Sequence, residues 1–170
     1  MDNLIDNVSG LIGRGAQSRY MELRKMVLHV DPAEIAVGEG GWQGASVALM
    51  EMPVGDATAT IMAVADGTVS LHTSTGGGTI GAGEHLSARR AGERFLKAAA
   101  DSAPFMTPTS DFPLPSDGMV RFHVRTPEGD VTDEAPEETL RARRHRLAPL
   151  YLAGQDLMTE IRVIAERGLA

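Results

Sequence analysis

Apolar residues recur at helical spacing near both ends of the chain. Over residues 2–30 they run in two phases that Gly13 and Gly15 interrupt, which predicts a helix broken or kinked near Gly13. The second half is amphipathic, and a stripe of this kind packs on a core more often than it binds a partner. Residues 149–167 carry a single apolar stripe that begins with a proline and ends before Gly168, which predicts a second helix.

Shorter runs of apolar and alternating residues between these ends predict strands. The runs lie at residues 47–52, 58–65, 68–74 and 119–126, with a short strand near Val131. In the third run Val69 and Leu71 alternate with polar residues, a pattern typical of a sheet with one buried face and one open face.

Two short motifs predict how these elements begin or connect. Asp31-Pro32 has the chemistry of a helix start, because Asp31 can accept a backbone N–H and Pro32 has its φ angle preset. Asp66-Gly67 separates the second and third strands and predicts a hairpin with a two-residue type I′ turn, which needs positive φ at both positions.

The rest of the chain alternates one further helix with irregular segments. Residues 84–103 present a face of small apolar residues, which predicts a helix that Pro104 ends. Four prolines in residues 104–118 predict a long ordered loop or crossover. Residues 128–146 are acidic first and basic afterwards, and charge blocks of this kind are usually solvated.

The predicted order of elements is α-β-β-β-α-β-β-α. This order indicates an α+β domain of two layers, an antiparallel sheet of about five strands with helices packed on one face. A chain of 170 residues can bury one sizeable core, so we expect a single domain over residues 1–170. Within it we expect a helical N-terminal segment, residues 1–38, and an α+β core, residues 42–168.

Composition argues against several classes of protein. The net charge of −7 disfavours a nucleic-acid binder, which needs clustered Lys and Arg. With no cysteine there is no disulfide, thiolate metal site or iron–sulfur cluster. We find no basic and apolar leader and no apolar run of about 18 residues, and therefore expect no membrane segment. The Ala, Gly and Arg content suggests a bacterial protein, which we expect in the cytoplasm.

The main candidate site is the glycine-rich loop, residues 76–83, between a strand pattern and a helix pattern. Its glycines are Gly76, Gly77, Gly78, Gly81 and Gly83. Such a cluster predicts positive φ angles or a close approach by backbone or ligand. The spacing matches Gly-x-Gly-x-x-Gly, but the second parallel strand of a dinucleotide fold does not follow. Backbone N–H groups of residues 81–84 could hold an anion, for which the carboxylate of Glu84 would compete.

Three histidines lie near this loop or on the predicted sheet. His72 and His123 occupy the polar faces of two strands, and His85 follows the glycine-rich loop. If the two strands are neighbours, His72 and His123 form one patch with Arg121 and Arg125. The five histidines of the chain show no metal-binding spacing, so we favour a solvated or partner-covered face over a metal or acid–base site.

One resemblance rests on four strings of the sequence. Residues 74–85 read Ser-Thr-Gly-Gly-Gly-Thr-Ile-Gly-Ala-Gly-Glu-His, and residues 113–115, 120–122 and 147–150 read Pro-Leu-Pro, Val-Arg-Phe and Leu-Ala-Pro-Leu. Together they resemble a family of bacterial proteins with no established activity. The resemblance covers residues 58–164 and implies a single domain with a fixed role for the glycine-rich loop.

Because each catalytic motif lacks a second required element, we expect a non-enzymatic interaction or regulatory module, without a metal or cofactor. We also expect a homodimer, in which a cationic sheet face around Arg121 and Arg125 docks on the acidic residues 128–138 of a second copy. A different protein partner is another form of this hypothesis. Alternatively, the amphipathic N-terminal helix covers the sheet face and the molecule is a monomer.

The alternative hypothesis is a small-ligand protein or an enzyme. It would bind an anion or a nucleotide with the glycine-rich loop, together with His72, His85 and His123.

Overall fold

The computed structural model describes residues 15–35 and 44–168, which form an α+β fold around one antiparallel sheet. The strands are β1 (Val47–Val54), β2 (Ala57–Val64), β3 (Val69–Thr73), β4 (Gly78–Thr79), β5 (Thr107–Pro108), β6 (Met119–Thr126) and β7 (Gly129–Pro136). The α-helices are α1 (Ala16–His29), α2 (Leu86–Ser102), α3 (Glu137–Arg141) and α4 (Ala148–Glu166), and short 3-10 helices span Pro32–Glu34, Ala82–Glu84 and Ala103–Phe105. The predicted fold class is confirmed.

The strand order across the sheet is β4-β3-β2-β1-β6-β7-β5, so the sheet has seven strands rather than five. The two additional strands are the edges β4 and β5, each two residues long. β4 forms within the glycine-rich loop itself, and β5 forms within the proline-rich segment. Pro108 is tolerated in β5 because an edge strand leaves one row of backbone groups unpaired.

Helices α2 and α4 cover one face of the sheet and enclose the larger part of the core. Ala88, Ala91 and Phe95 of α2 are fully buried there, together with Met50 and Phe122 of the sheet. The small residues predicted for α2 let the helix lie close to the strands, as expected.

Gly92 marks the closest approach of α2 to the sheet. A Cβ atom built at Gly92 would lie 2.5 Å from Cγ1 of Val69, so even an alanine there would require the valine to shift.

Helix α1 packs on the opposite face, which corrects the prediction that helices cover one face only. Val27 and Leu28 of α1 are buried against Leu49 and Met62 of the sheet. The amphipathic stripe of α1 is therefore a core stripe, as its pattern favours. The predicted kink near Gly13 lies outside the described residues.

The hairpin predicted between β2 and β3 is confirmed, but its turn is of another type. Val64 and Thr68 are joined by a backbone hydrogen bond of 2.9 Å, which leaves a loop of three residues. Gly67 alone has positive φ, at 91°, while Oδ1 of Asp66 accepts the N–H of Thr68 at 2.8 Å. A three-residue loop needs only one left-handed residue, and glycine supplies it.

Many charged side chains of residues 128–146 are exposed, as predicted for a solvated block, including Glu128, Glu138 and Arg144. β7 and α3 run through this segment, and acidic side chains of β7 pair with arginines. Asp130 bonds Arg125 at 3.1 Å, and Asp133 bonds Arg146 at 2.8 Å. Asp31 caps the helix Pro32–Glu34 as predicted, by accepting the N–H of Ala33 at 2.9 Å.

Candidate functional site

A row of polar residues crosses the sheet on the side that α1 covers. Cross-strand pairing places them side by side, in the order Gly78, His72, Thr60, Glu51, Arg121 and Glu134. His72, Thr60 and Glu51 in this row lie beneath α1, so the open face predicted for β3 is covered.

Glu51 lies at the centre of this row and is completely buried. Arg24 of α1 binds it through two parallel hydrogen bonds, Nε to Oε1 at 2.7 Å and Nη2 to Oε2 at 2.8 Å. Burial alone would raise the pKa of the Glu51 carboxyl, but hydrogen bonds from His123 and Arg24 and the charge of Arg24 outweigh it and lower the pKa to about 2. The carboxylate is therefore ionised at neutral pH.

Two hydroxyl groups complete the shell around Glu51. Thr60 Oγ1 donates to Oε1 of Glu51 at 3.0 Å, and the hydroxyl of Tyr20 lies 2.8 Å from the same Thr60 oxygen. The Tyr20 hydroxyl also lies within donating distance of Oε1 of Glu51, at 3.3 Å, so both hydroxyl groups converge on the same carboxylate oxygen. Burial, followed by the charge of Glu51, raises the pKa of Tyr20 to about 12.

His123 belongs to this buried cluster rather than to an open face. Its Nε2 lies 3.0 Å from the carbonyl oxygen of Pro113, 3.1 Å from Nη2 of Arg24 and 3.5 Å from Oε2 of Glu51. The ring of Phe112 meets it edge-on at 5.4 Å between ring centroids. Within the part of the chain that the structure describes, Nδ1 of His123 has no hydrogen-bond partner.

The predicted patch of His72, His123, Arg121 and Arg125 does not form, because β2 and β1 separate β3 from β6. The predicted unpaired cationic face is absent as well. Nη2 of Arg121 lies 2.7 Å from a carboxylate oxygen of Glu134 on β7, and Arg125 is paired in the same way on that strand.

His72 is the histidine that borders an accessible space, although its side chain is largely buried. The residue is 6% exposed, and burial lowers its pKa to about 4, so the imidazole is neutral at neutral pH. Its Nε2 lies 2.9 Å from Oγ of Ser70. The distance is compatible with either direction of this hydrogen bond; we assign the Ser70 hydroxyl as the donor to Nε2, which places the imidazole proton on Nδ1.

A cleft opens between the first turns of α1 and the β3–β4 hairpin and encloses about 220 Å³. Its lining residues are Arg19, Tyr20, Leu23, His72, Thr73, Gly76, Gly77, Gly78 and Ile80. The structure thus brings four of the predicted site residues together at one cleft: His72 and the first three glycines of the loop.

The hairpin that forms one wall of this cleft requires its glycines. Gly76, Gly77 and Gly78 all have positive φ, at 94°, 101° and 141°. A Cβ atom at Gly78 would lie 2.2 Å from the carbonyl oxygen of Leu71, which no side chain can accommodate. At these three glycines the wall of the cleft therefore consists of backbone without side chains.

The remaining predicted site residues lie away from the cleft. Gly81 precedes the 3-10 helix Ala82–Glu84 with a φ of 79°, and a Cβ at Gly83 would lie 2.1 Å from the carbonyl oxygen of Gly67. Gly81 and Gly83 are therefore required by the conformation and close packing of the backbone. Glu84 is exposed, and a three-residue helix has too few aligned peptides for the predicted anion site.

His85 lies apart from the cleft too. It is half-buried at the start of α2 and does not cap that helix with its side chain.

Sequence reasoning missed Arg19, Tyr20, Arg24, Glu51 and Thr60. One signal was present: Glu51 is the single charged residue of an otherwise apolar strand. A carboxylate at such a position needs a buried partner, which here comes from α1.

No protein-family model matches the chain, and no curated protein or solved structure matches it either. The resemblance carried by the glycine string therefore stays a prediction. Over residues 15–35 and 44–168, no group of three or more His, Asp or Glu side chains could hold a metal ion, and no helix is long and apolar enough to cross a membrane.

Proposed function

We propose that the protein is a non-catalytic module that binds a small molecule in the cleft between α1 and the β3–β4 hairpin. The observation that carries this proposal is the cleft itself, where His72 and the backbone of three glycines meet Arg19 and Tyr20. A concave site with a few convergent polar groups among apolar side chains is the usual form of a small-ligand site. Leu23 and Ile80 supply the apolar part.

The location of the reactive groups supports the proposal of a non-catalytic role. Glu51 and His123 are both completely buried and hydrogen-bonded within the cluster beneath α1. A general acid or base has to reach its substrate within hydrogen-bonding distance, which these groups cannot do. Among the described residues that line the cleft, His72 is the histidine, and burial lowers its pKa to about 4, which makes it a poor base at neutral pH.

The size of the cleft limits the ligand. Its volume is about 220 Å³. Pockets that enclose drug-sized ligands span about 300–1,000 Å³. Because the cleft is also open to solvent, a nucleotide would project out of it, and we favour a smaller molecule.

The wider setting of this function is also a proposal. We propose a bacterial cytoplasmic protein, which the absence of cysteine supports. A regulatory role through a protein partner, including a second copy of the chain, remains compatible with a ligand site. The cationic sheet face predicted as the homodimer interface does not support a homodimer, because Arg121 and Arg125 are paired within the chain.

A fragment screen by NMR tests the proposed function. We expect hits that shift the amide signals of Gly76, Gly77 and Gly78 in a saturable way and raise the melting temperature. Ile80→Trp should abolish these effects, because Ile80 is 40% exposed at the cleft and a larger ring there would obstruct it. Val54→Trp is the matched control, since Val54 is 51% exposed and does not line the cleft.

Two results would count against ligand binding in the cleft. One is a screen without any saturable shift at these amides. The other is binding that survives Ile80→Trp unchanged.

A further inference from the structure

The chemistry of the cleft wall restricts the charge of its ligand. Arg19 is the one charged residue among the described side chains that line it, and no carboxylate does so. The guanidinium of Arg19 is exposed and has no ion pair among the described residues. Glu51 lies behind the wall, but Arg24 neutralises it. The cleft is thus a locally cationic site in a chain whose net charge is −7.

His72 adds a directional donor at the same place. Its Nε2 accepts from Ser70, which leaves the Nδ1–H without a protein acceptor among the described residues. Among the described side chains, the buried polar atoms without a partner belong to Thr68, Arg121 and His123, so Nδ1 of His72 is reached by solvent. An acceptor oxygen on a ligand in the cleft would replace that solvent. Neutral imidazole, Arg19 and bare glycine backbone together form a site for an oxygen anion.

We infer that the cleft binds a small monocarboxylate with an apolar body, whose carboxylate accepts from His72 Nδ1–H and pairs with Arg19. This inference rests on the proposed function of the cleft. One arginine beside a neutral histidine balances a single negative charge, whereas a phosphate dianion would leave charge uncompensated. Leu23 and Ile80 match the apolar body, and the volume of the cleft limits its size.

Benzoate and isovalerate are suitable probes, with benzamide and isovaleramide as neutral isosteres and phenyl phosphate as a dianion. In NMR titrations of the full chain we expect both carboxylates to bind and to shift the amides of Gly76 and Gly77. Benzamide, isovaleramide and phenyl phosphate should bind at least tenfold more weakly. The two neutral ligands lose a charge-assisted hydrogen bond, and the phosphate leaves a negative charge unbalanced.

Three variants assign the contacts. Arg19→Gln should weaken benzoate binding by about tenfold or more, while Arg90→Gln, an exposed arginine of α2 on the other face, should not change it. His72→Phe removes the donor but retains a ring, and His72→Gln retains a donor. Benzoate binding should fall in His72→Phe and be partly preserved in His72→Gln. Melting temperatures of both variants verify that they fold.

A titration of the His72 ring signals gives an independent readout. The ionisable groups that face His72 are Arg19, Tyr20 and Arg24, all of α1. A bound carboxylate should raise the pKa of His72 above its unliganded value of about 4, and a neutral isostere should not.

The outcomes separate the two proposals. If the neutral amides bind the cleft as tightly as the carboxylates, or phenyl phosphate binds more tightly than benzoate, this inference is wrong and the ligand site stands. If Arg19→Gln leaves carboxylate affinity unchanged, the inference is again overturned. If neither the carboxylates nor any fragment shifts the glycine amides, both proposals fail.

Discussion

Lowering the pH from 7 to 4 should destabilise the protein, because His72 must be protonated where burial keeps it neutral. Its pKa is about 4 in the fold and 6.5 in the absence of burial. The unfolded chain therefore takes up a proton near pH 6.5 that the folded chain resists down to pH 4. The stability that depends on neutral His72 is complete above pH 6.5 and is lost progressively as the pH falls to 4. At about 1.4 kcal/mol for each pH unit, the loss is about 3 kcal/mol.

A loss of this size is measurable, because single domains are stable by only about 5–15 kcal/mol. Urea unfolding followed by circular dichroism at pH 7 and pH 4 gives the free energy of unfolding of each variant. His72→Gln should lose about 3 kcal/mol less than the wild type between these two pH values. His29→Gln, at an exposed position of α1, should behave as the wild type does. Equal losses in the wild type and His72→Gln would refute a neutral, buried His72.

Three further predictions concern the residues around the sheet. Glu51→Gln should cost about 3–5 kcal/mol in urea unfolding at pH 7, because it leaves a buried arginine without its counter-charge. Because the pKa of Glu51 is lowered from 4.5 to about 2, the wild type should also lose stability as the pH falls from 4.5 to 2, and this loss should be absent from the variant. Gly83→Ala should lower the melting temperature more than Gly81→Ala. A Cβ at Gly83 would lie 2.1 Å from a carbonyl oxygen, whereas at Gly81 only the positive φ disfavours a side chain. The reverse order of melting temperatures would contradict this geometry. Arg121→Glu should lower the melting temperature, because it faces Glu134 with a like charge, and light scattering should report an unchanged mass. A fall in mass at unchanged stability would instead restore Arg121 as part of a dimer interface.

The elements predictable from sequence were those specified by local periodicity. α1, α2 and α4 and the strands β1, β2, β3 and β6 follow from local patterns within a dozen residues, whereas of β7 only a short strand near Val131 is predicted. The edge strands β4 and β5 could not be found in this way, because two residues show no alternation and glycine and proline are poor strand formers. Both depend on a neighbouring strand that supplies the hydrogen bonds.

The candidate site likewise has one part that local sequence predicts and one part that depends on residues distant in sequence. The glycine hairpin is a local feature, and its positive φ angles follow from composition alone. The other wall comes from α1 and is not local. Its residue Tyr20 bonds Thr60, 40 positions away, and behind it Arg24 bonds Glu51, 27 positions away. An alternating strand shows that one face is polar, but it does not show whether water or a helix covers that face. Here α1 covers it, with polar side chains opposite the polar row and apolar ones opposite Leu49 and Met62.

The buried pair of Arg24 and Glu51 is more useful for positioning α1 than for stability. Replacing a buried ion pair with apolar residues of similar volume is often neutral or stabilising, whereas removing one partner is costly. The two parallel hydrogen bonds, however, fix the rotation and register of α1 on the sheet, and the same helix turns carry Arg19 and Tyr20 to the cleft.

The double variant Arg24→Met with Glu51→Met should therefore be more stable to urea than Glu51→Gln alone, because it leaves no buried charge unpaired. It should nevertheless bind benzoate more weakly than the wild type, although Arg19 and His72 are intact, because α1 is no longer held in one position. The paired measurements are urea unfolding and the NMR titration on the same samples. Unchanged affinity in a folded double variant would show that apolar packing of Val27 and Leu28 is enough to position the helix, and that the ion pair has no part in forming the cleft.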